Sequence, residues 1–431
     1  MSGELKNDHI QNVSPSFLSE WGEKERLFCL SHRTSSVRSL ALQASKYPDI
    51  NMPFALNQIA GWQTACRKLP TWAGKEGIVY PPHLSMEQCS SEQTALYKEK
   101  LAKRLAQAYI DNEANKTEED GVSADLTASS FVDLTGGFGV DFSFMGRNFV
   151  STYVEQQPHL CEIAKNNFPL LGLERTTIVN ADGVEYLHQL DFSTIIYLDP
   201  ARRDSHGGKT VFIGDCTPNL IELKDELIGK SGYTIVKLSP MLDWHKAVEE
   251  LNAEADIVRE VHVVSVKNEC RELLFVLGKG STALRLYCIN DAECLVVDAE
   301  SGLRESVCSE IKPGQFLYEP NASVMKAGCF GELSVRYNAK AVSQNSHLFV
   351  SDGFIEDFPG RKFTIKTVSS FNKKELKQAL SGIKAANIAT RNFPVSVAEL
   401  RKRLKLKDGG SCYVFATTDA KGEHLLLICE K

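Results

Sequence analysis

The segment Phe131–Asp141, FVDLTGGFGVD, constrains the fold of this chain more than any other feature. An apolar run of β-favouring residues leads into a cluster of glycines, and an amphipathic stretch follows as far as Phe149. This pattern predicts a strand, a tight turn and a helix, the start of a nucleotide-binding α/β domain. Glycines in such a turn can adopt positive φ and let a ligand approach the backbone, while amide groups at the helix start can face a carboxylate or phosphate.

The spacing of the glycines separates two classes of ligand. A dinucleotide fingerprint G-x-G-x-x-G would begin at Gly137 and Gly139, but Phe142 occupies the position of its last glycine. The chain instead has Asp133 and Thr135 ahead of these glycines, with the acid at the strand end. This arrangement is similar to motif I of the class I S-adenosylmethionine (SAM) methyltransferases, with Thr135 where the first glycine of that pattern usually stands.

Length and composition limit the class of protein. A chain of 431 residues suggests roughly three domains. No apolar run approaches the ~20 residues that span a bilayer, and the N-terminus has no apolar signal-peptide core, so we expect a cytoplasmic protein without a membrane partner. The 12 cysteines are scattered singly and form no C-x-x-C pair, which argues against both a disulfide framework and a zinc site.

The charge is distributed unevenly along the chain. Residues 361–431 carry 15 Lys and Arg against 6 Asp and Glu, a net charge of +9, so residues 1–360 carry a net −15. A basic module on an acidic body is a candidate contact for nucleic acid. A well-solvated surface would show the same excess of charge, and composition alone leaves both interpretations open.

Residues 126–279 show the alternation that a doubly wound sheet requires. Five apolar runs predict parallel strands, and two more runs, joined by a short polar turn, predict an antiparallel hairpin. This combination resembles the methyltransferase sheet. The predicted fold class is α/β, a seven-stranded Rossmann-like sheet with an N-terminal helical region and small α+β C-terminal modules. The predicted strands are 131–134, 150–155, 176–180, 194–198, 233–238, 258–266 and 272–277.

The first 110 residues are predicted to be helical. One helix is expected over 54–69, with Pro53 at its start. A second begins at Ser85–Gln88, a capping-box pattern, and continues to about residue 110. The apolar stripe of the first helix would consist of Ile59, Trp62, Cys66 and Leu69.

The simplest interpretation of this region is a helical cap packed beside the catalytic domain. The polar segment Gln88–Glu92 could instead reach the amino-acid end of bound SAM, because it lies shortly upstream of the glycine turn. Residues 111–130 are polar, acidic and without periodicity, which predicts a linker or loop.

Ligands of such sheets bind beyond the carboxyl ends of the strands, where this chain places several polar residues. Glu155 ends the second strand, and its carboxylate could accept hydrogen bonds from a ribose diol. Asp182 and Gly183 follow the third strand, where they could contact adenine. Asp199 ends the fourth strand and Lys237 the fifth. Each acid alone could simply cap the next helix, but four polar strand ends in this order make a ligand site the more specific interpretation.

Several segments resemble bacterial class I SAM-dependent methyltransferases that carry a C-terminal THUMP-like domain. The resemblance covers nearly the whole chain. The segments that carry it are EQCSSE (87–92), DLTGGFGVD (133–141), DPARR (199–203), KLSPM (237–241), ANIATRNFP (386–394) and LRKRLKLKDGG (400–410). It implies a helical region at 1–125, a methyltransferase domain at 126–279, a ferredoxin-like α+β module at 280–355 and a THUMP-like domain at 356–431.

The resemblance also assigns roles to residues. SAM contacts fall on Asp133, Thr135, Gly137, Gly139, Glu155, Gln156, Asp182, Gly183 and Gln88. The predicted catalytic residues are Asp199, Pro200 and Arg202, with Asp199 orienting or deprotonating the methyl acceptor. The segment DPAR, which begins at Asp199, lacks the second proline and the aromatic residue found in enzymes that methylate exocyclic base nitrogens. Methylation of an exocyclic amine on a flipped base is therefore disfavoured. Arg202 and Arg203 suit a phosphate or carboxylate, or one of them merely pairs with a nearby acid.

The C-terminal block predicts strand 363–368, helix 373–383, strand 386–392, helix 396–405 and strands 411–417 and 424–429. Before it we expect short strands at 284–289 and 295–297 in a small sheet, a helix over 323–340 and a strand at 348–351. The apolar stripe of the helix over 396–405 leaves its basic residues facing solvent. The predicted substrate-binding residues are Arg203, Lys237, Arg391, Arg401 and Arg403.

The function predicted from these features is SAM-dependent methylation of rRNA or tRNA presented by the THUMP-like domain. One alternative is a methyltransferase of a protein or small molecule, for which the basic C-terminal end would be incidental. Another is an RNA-binding protein that retains SAM without catalysis. An oxidoreductase is the least favoured, because Phe142 and the terminal hairpin both oppose it.

Overall fold

The computed structural model describes residues 18, 21–117, 129–202, 213–280, 282–299 and 301–431. The chain divides into two compact units, residues 1–236 with 277–279 and residues 237–276 with 280–431. Within the described ranges, no helix combines the length and hydropathy that crossing a bilayer would require.

The first unit is an N-terminal group of helices followed by alternating strands and helices. Its helices are α1 Glu23–His32, α2 Val37–Ala41, α3 Met52–Lys68, α4 Pro70–Ala73, α5 His83–Gln88, α6 Glu92–Thr117, α7 Val140–Met145, α8 Pro158–Leu170, α9 Gly183–Gln189 and α10 Leu220–Gly229. Its strands are β1 Ser130–Asp133, β2 Val150–Glu155, β3 Thr176–Asn180, β4 Ser193–Leu198, β5 Ala201–Arg202, β6 Cys216–Thr217 and β7 Ser231–Leu238, the last ending in the second unit. Single 3-10 turns occur at Ala44–Lys46, Gly146–Asn148 and Ile213–Asp215.

Helix α3 confirms the predicted first helix, and its start follows from the sequence. The Asn51 side chain accepts a hydrogen bond from the Phe54 amide at 3.2 Å, and a proline lies in the first turn. Ile59 and Leu69 are buried as predicted. Cys66 is exposed, and its place in the apolar stripe was wrong: the buried residue in that turn is Ala65.

The predicted single helix from Ser85 to about residue 110 is instead two helices. Helix α5 ends at Gln88 and α6 begins at Glu92. The Ser91 hydroxyl accepts from the Thr94 amide at 3.2 Å, so it caps the second helix and stops the first from continuing. The break leaves Ser90 outside both helices.

The N-terminal helices pack directly against the elements that follow the glycine turn. Trp72 of α4 is fully buried, its ring centroid lies 4.8 Å from that of Phe138, and its indole nitrogen donates to Ser143 Oγ at 3.2 Å. Asn167 of α8 exchanges two hydrogen bonds with the backbone of Val79, at 2.9 and 2.8 Å. The helical region therefore shares a core with the elements around the glycine turn.

Strands β1, β2, β3, β4 and β7 form the predicted parallel core of the sheet. Strand β1 lies between β2 and β4, and Asp133 at its end is in register with Tyr153 and Tyr197. Strand β3 pairs in parallel with β2, and β7 with β4. All the strand ends that carry the predicted cofactor residues therefore lie at one edge.

The second unit contains the predicted hairpin. Strands β8 Val258–Val266 and β9 Glu269–Leu277 are joined by Lys267 and Asn268, whose φ values are 52° and 60°. Two consecutive left-handed residues are typical of a type I′ turn, whose twist matches that of the flanking strands. Helix α11, Trp244–Leu251, precedes the hairpin.

The sheet has nine strands, so the predicted count of seven was wrong. The order is β11-β10-β8-β9-β7-β4-β1-β2-β3, in which β10 is Arg285–Asn290 and β11 is Glu293–Asp298. These two strands were expected in a separate small sheet. Strand β10 instead pairs in parallel with β8, which satisfies the backbone groups of what would otherwise be an edge strand and helps to bury apolar residues such as Leu286 and Leu295.

The rest of the second unit is built on a seven-stranded sheet of order β13-β14-β12-β15-β18-β17-β16. Its strands are β12 Phe316–Pro320, β13 Lys340–Ala341, β14 Phe349–Ser351, β15 Gly360–Ser370, β16 Asn387–Arg391, β17 Cys412–Thr418 and β18 His424–Glu430. The helices are α12 Ala322–Ala327, α13 Phe330–Arg336, α14 Lys373–Ala379 and α15 Val397–Leu404.

The predicted element order of this block, from 363 onward, is confirmed. The expected helix over 323–340 is two helices, α12 and α13, because Gly328 ends the first in the left-handed region at φ 74°. Leu400 of α15 is fully buried, as the apolar stripe required.

Candidate functional site

The glycine turn after β1 is held by a short chain of hydrogen bonds. Asp133 is 1% exposed, and its Oδ1 accepts from the Thr135 amide at 2.9 Å and from the Thr135 hydroxyl at 3.3 Å. The same hydroxyl accepts from the Asp199 backbone amide at 2.7 Å. Thr135 therefore ties the end of β1 to the end of β4, a bond that a glycine at this position would lack.

The three glycines of the turn are needed for different reasons. A Cβ at Gly136 would lie 2.2 Å from the ring of Tyr153, and one at Gly139, whose φ is 83°, would lie 2.8 Å from the ring of Phe168. Gly137 has φ 57°, yet a Cβ there would meet only the Thr135 carbonyl oxygen, at 3.7 Å. Two glycines thus serve packing, whereas Gly137 leaves an open surface that a ligand could approach.

Glu155 holds this turn from the neighbouring strand. The side chain is buried, and its two oxygens accept from the Gly137 amide at 2.8 Å and the Gln157 amide at 2.7 Å. Because each carboxylate oxygen has two lone pairs, one acceptor site per oxygen remains for a ligand hydroxyl. Tyr153 donates its hydroxyl hydrogen to the Gly137 carbonyl oxygen, so β2 holds both the N–H and the C=O group of Gly137.

The other residues expected near the cofactor lie around the same edge. Asp182 is the N-cap of α9: its Oδ1 accepts from the amides of Val184 at 2.8 Å and Glu185 at 3.2 Å. A Cβ at Gly183 would lie 2.0 Å from the Leu134 carbonyl oxygen, so only glycine lets α9 approach the turn this closely. The Gln156 carbonyl accepts from Asn180 Nδ2 at 3.1 Å.

The predicted catalytic residues follow β4. Asp199 is half-buried beside the turn, and Pro200 is buried. Strand β5, which contains Arg202, pairs antiparallel with β6, but the Arg202 side chain and all of Arg203 lie outside the described residues. Cys216, opposite Arg202 in this pair, is buried.

Burial and neighbouring charge act together on Asp133. Desolvation raises the pKa of its carboxyl group well above the usual range, and the carboxylates of Asp141 and Asp199 raise it further against the opposing bonds from Thr135. Three carboxyl groups therefore converge at this edge of the sheet. Such a site favours a positively charged ligand, because a cation would stabilise the ionised form of Asp133.

Sequence reasoning missed a buried polar network centred on Asp141. This carboxylate accepts from Ser90 Oγ and from the Tyr197 hydroxyl, each at 2.8 Å, and it lies 3.2 Å from Lys98 Nζ. Gln88, the residue expected to approach SAM, is exposed at the end of α5. The sequence contained one signal of this network, the acid Asp141 that follows the glycine motif. Its partner Lys98 on α6 has no local sequence pattern that would have identified it.

A surface depression of about 220 Å³ lies at the opposite edge of the sheet. Its lining includes Ser151 and Thr176, at the amino ends of β2 and β3, together with Arg147 and Arg175. It is therefore separate from the residues described above. Among the described residues, no three potential metal ligands are arranged so that they could hold one metal ion.

The predicted substrate-binding residues of the second unit differ in their partners. Arg391 pairs with the buried carboxylate of Glu319 at 2.6 Å, and Arg361 contacts the same carboxylate. Arg401 pairs with Asp408 at 2.6 Å and donates to the Ala386 carbonyl oxygen at 3.1 Å.

Arg403 pairs with Glu399 one helical turn away, and both side chains are about half exposed. Lys237 is the penultimate residue of β7. Three exposed lysines at the end of α15 and just beyond it, which we call the basic end, are Lys402, Lys405 and Lys407.

Two family models match the C-terminal part of the chain. A THUMP domain-like model matches residues 360–431, and a ferredoxin-like domain model matches residues 316–359. Their strands belong to the single seven-stranded sheet described above. The chain has no significant match among curated protein sequences.

Comparison with solved structures extends the likeness to the whole chain. A "putative methyltransferase" from Porphyromonas gingivalis W83 superposes with a TM-score of 0.77 at 29% identity, covering 95% of this chain and 97% of that chain. A SAM-dependent methyltransferase from Agrobacterium tumefaciens (TM-score 0.28, 16% identity, 44% and 62% covered) and an rRNA methylase from Streptococcus thermophilus (0.27, 15%, 36% and 89%) align only in part. These matches confirm the resemblance to bacterial class I SAM-dependent methyltransferases that carry a C-terminal THUMP-like domain.

Proposed function

We propose that this protein transfers a methyl group from SAM to an RNA, of the ribosomal or transfer class. The observation that carries the proposal is the glycine turn: an open peptide surface at Gly137, fixed by Glu155 on one side and tied through Thr135 to Asp199 on the other. The whole-chain likeness to the Porphyromonas gingivalis protein supports the same reaction class.

The residues around the turn offer the hydrogen-bond acceptors and the charge that SAM would need. Glu155 retains an acceptor site on each oxygen for the ribose hydroxyls. Asp182 caps α9 with Oδ1, so its other oxygen could accept a hydrogen bond from the ligand. The carboxyl groups of Asp133 and Asp199 suit a ligand that carries a sulfonium and an ammonium group, whereas the charge of Asp141 is already balanced by Lys98. When bound, SAM supplies an already activated methyl group, so the protein mainly has to bind, orient and exclude water.

Asp199 is the residue we propose to act on the methyl acceptor. Its backbone amide is fixed by Thr135, which places the residue directly beside the turn. Its carboxylate would orient the acceptor, or take its proton, with the acceptor lone pair about 3 to 3.5 Å from the methyl carbon. The residues after it, Pro200 and Ala201, do not provide the stacking surface that a flipped base would need.

The THUMP-like domain is proposed to hold the RNA backbone. The basic end is exposed, and the half-exposed pair of Arg403 with Glu399 could exchange its carboxylate for a phosphate at little cost. Arg401 and Arg391 already pair with carboxylates in the fold. Among the three predicted arginines of this domain, Arg403 is therefore the one best placed to take a phosphate.

The test is transfer of labelled methyl from SAM to total RNA from cells that lack this protein, with cell protein assayed in parallel. We expect label in one RNA species, and we expect Asp199→Ala to abolish transfer while SAM binding, measured by calorimetry, falls much less. Label only in protein would overturn the RNA assignment. SAM binding without label in any fraction would favour a small-molecule substrate or a binding protein without catalysis.

A further inference from the structure

A fully buried ammonium group lies behind the candidate cofactor site. Lys98 of α6 is 0% exposed, and its Nζ lies 3.2 Å from Asp141 Oδ1. A buried lysine is rare unless it is paired, because removing the charge from water is costly. This contact is therefore a fixed feature of the fold, unlike an exposed ion pair.

Asp141 is held by three separate elements. Ser90, in the break between α5 and α6, donates to Oδ2 at 2.8 Å, and so does the hydroxyl of Tyr197 on β4. Lys98 Nζ in turn donates to Ser90 Oγ at 3.2 Å. The ammonium thus supports Asp141 both directly and through the serine.

The residues of this network lie close in sequence to both parts of the proposed site, the glycine turn and the end of β4. Asp141 follows Gly139 by two residues, and Tyr197 precedes Asp199 by two residues. Asp141 also contributes to the electrostatic field at Asp133. The position and charge of Asp141 therefore bear on the glycine turn, on the end of β4 and on the carboxyl group at the base of the site.

We propose that Lys98, with Ser90, is a positioning residue for methyl transfer: it keeps Asp141 in place and thereby sets the glycine turn relative to the strand end that carries Asp199. The inference rests on the proposed function, and it gives the N-terminal helices a role in cofactor affinity. Lys98 contacts Asp141 and Ser90, and its effect on the turn would be transmitted through Asp141.

The decisive variant is Lys98→Met, which keeps the length of the side chain and removes its charge. We expect SAM affinity, measured by calorimetry below the melting temperature of each variant, to fall at least tenfold. The double variant Lys98→Met with Asp141→Asn should regain most of that loss, since its amide oxygen can still accept from Tyr197 and no unpaired charge is left. Ser90→Ala, a smaller change, should weaken SAM several-fold and covers the case in which Lys98→Met does not fold.

The matched control is Ser143→Ala. It removes the hydrogen bond from Trp72 to α7, a contact between the same helical region and the same helix that does not involve Asp141. We expect it to lower the melting temperature without changing SAM affinity. Equal loss of SAM affinity in Ser143→Ala and Lys98→Met would show general destabilisation and overturn the proposal, as would wild-type affinity in a folded Lys98→Met.

Amide hydrogen exchange separates this proposal from the proposed function. If Lys98 positions the turn, the amides of residues 136–139 should exchange faster in Lys98→Met than in Ser143→Ala, whether or not SAM is present. Faster exchange together with no SAM binding by the wild-type protein would reject the methyltransferase and keep the positioning role. Unchanged exchange at these amides would reject the positioning role itself.

Discussion

Replacing Glu155 tests the proposed cofactor site most directly, because the structure gives this side chain two separable roles. Its carboxylate accepts from the amides of Gly137 at 2.8 Å and Gln157 at 2.7 Å and is 7% exposed. Hydrogen bonds to a charged acceptor are worth about 1.5 to 3 kcal/mol each. Both amides lie at partly open positions, where water can replace the lost acceptor, so we expect Glu155→Ala to lower the free energy of unfolding by about 2 kcal/mol.

The same substitution should weaken SAM by a further and separate amount. If the remaining lone pairs of Glu155 accept from the ribose diol, their loss costs about 1.5 to 3 kcal/mol of binding, roughly a ten- to hundredfold rise in Kd. Glu155→Gln keeps one acceptor but points its amide group at a backbone donor. It should therefore fall between the wild type and Glu155→Ala in both stability and affinity.

The assay pairs urea unfolding with calorimetric titration of SAM on each variant. The titration is carried out where every variant is at least 99% folded, so that instability does not register as weak binding. Loss of stability with unchanged SAM affinity would refute the ribose contact and leave Glu155 as an anchor of the turn. Unchanged stability would refute the energetic weight given to its two amide bonds.

The remaining predictions concern charge and thiol chemistry. Asp133→Asn should raise the free energy of unfolding at neutral pH and weaken SAM binding. Because the carboxyl pKa is raised in the folded state, stability of the wild type falls as pH rises from about 3.9 through the folded-state pKa, whereas asparagine does not titrate. Equal pH dependence of the two proteins in urea unfolding would contradict this prediction. Changing the basic end to glutamine should reduce the salt dependence of RNA binding in filter assays, whereas an unchanged slope would place the RNA elsewhere. The thiols of Cys288 and Cys329 lie 3.8 Å apart, so the thiol oxidant diamide should join them in a disulfide seen by peptide mass spectrometry, and a fully reduced pair after treatment would contradict this geometry.

The parallel strands and the hairpin could be predicted because their signals are local. The glycine cluster after Asp133 marks the first strand, and alternation of apolar runs with helical segments marks the rest. The membership of β10 and β11 could not be predicted. A short amphipathic strand specifies which of its faces is buried, but it carries no information about which sheet edge it will join.

In the candidate site, too, the features with local sequence signals could be predicted and the long-range contacts could not. The residues of the turn were readable from spacing, yet the reason for Thr135 was not, because its bond to the Asp199 amide spans 64 residues. The break that frees Ser90 was hidden by a capping-box pattern at Ser85, which favoured one long helix over the cap that Ser91 provides. Likewise, Arg391 looked available for RNA because its partner Glu319 lies 72 positions away in the sequence.

The uneven charge of the chain follows from the two ligands we propose. SAM carries a sulfonium cation, and the site proposed for it gathers the carboxyl groups of Asp133, Asp141 and Asp199, with Lys98 as the buried counter-charge of one of them. RNA is a polyanion, and the last 71 residues carry the net +9. A surplus of basic residues near the carboxyl groups would oppose a cationic cofactor, and acidic residues at the basic end would repel phosphate. Because the acidic and basic residues lie on different parts of the chain, the first can attract SAM and the second RNA without either set weakening the binding of the other ligand.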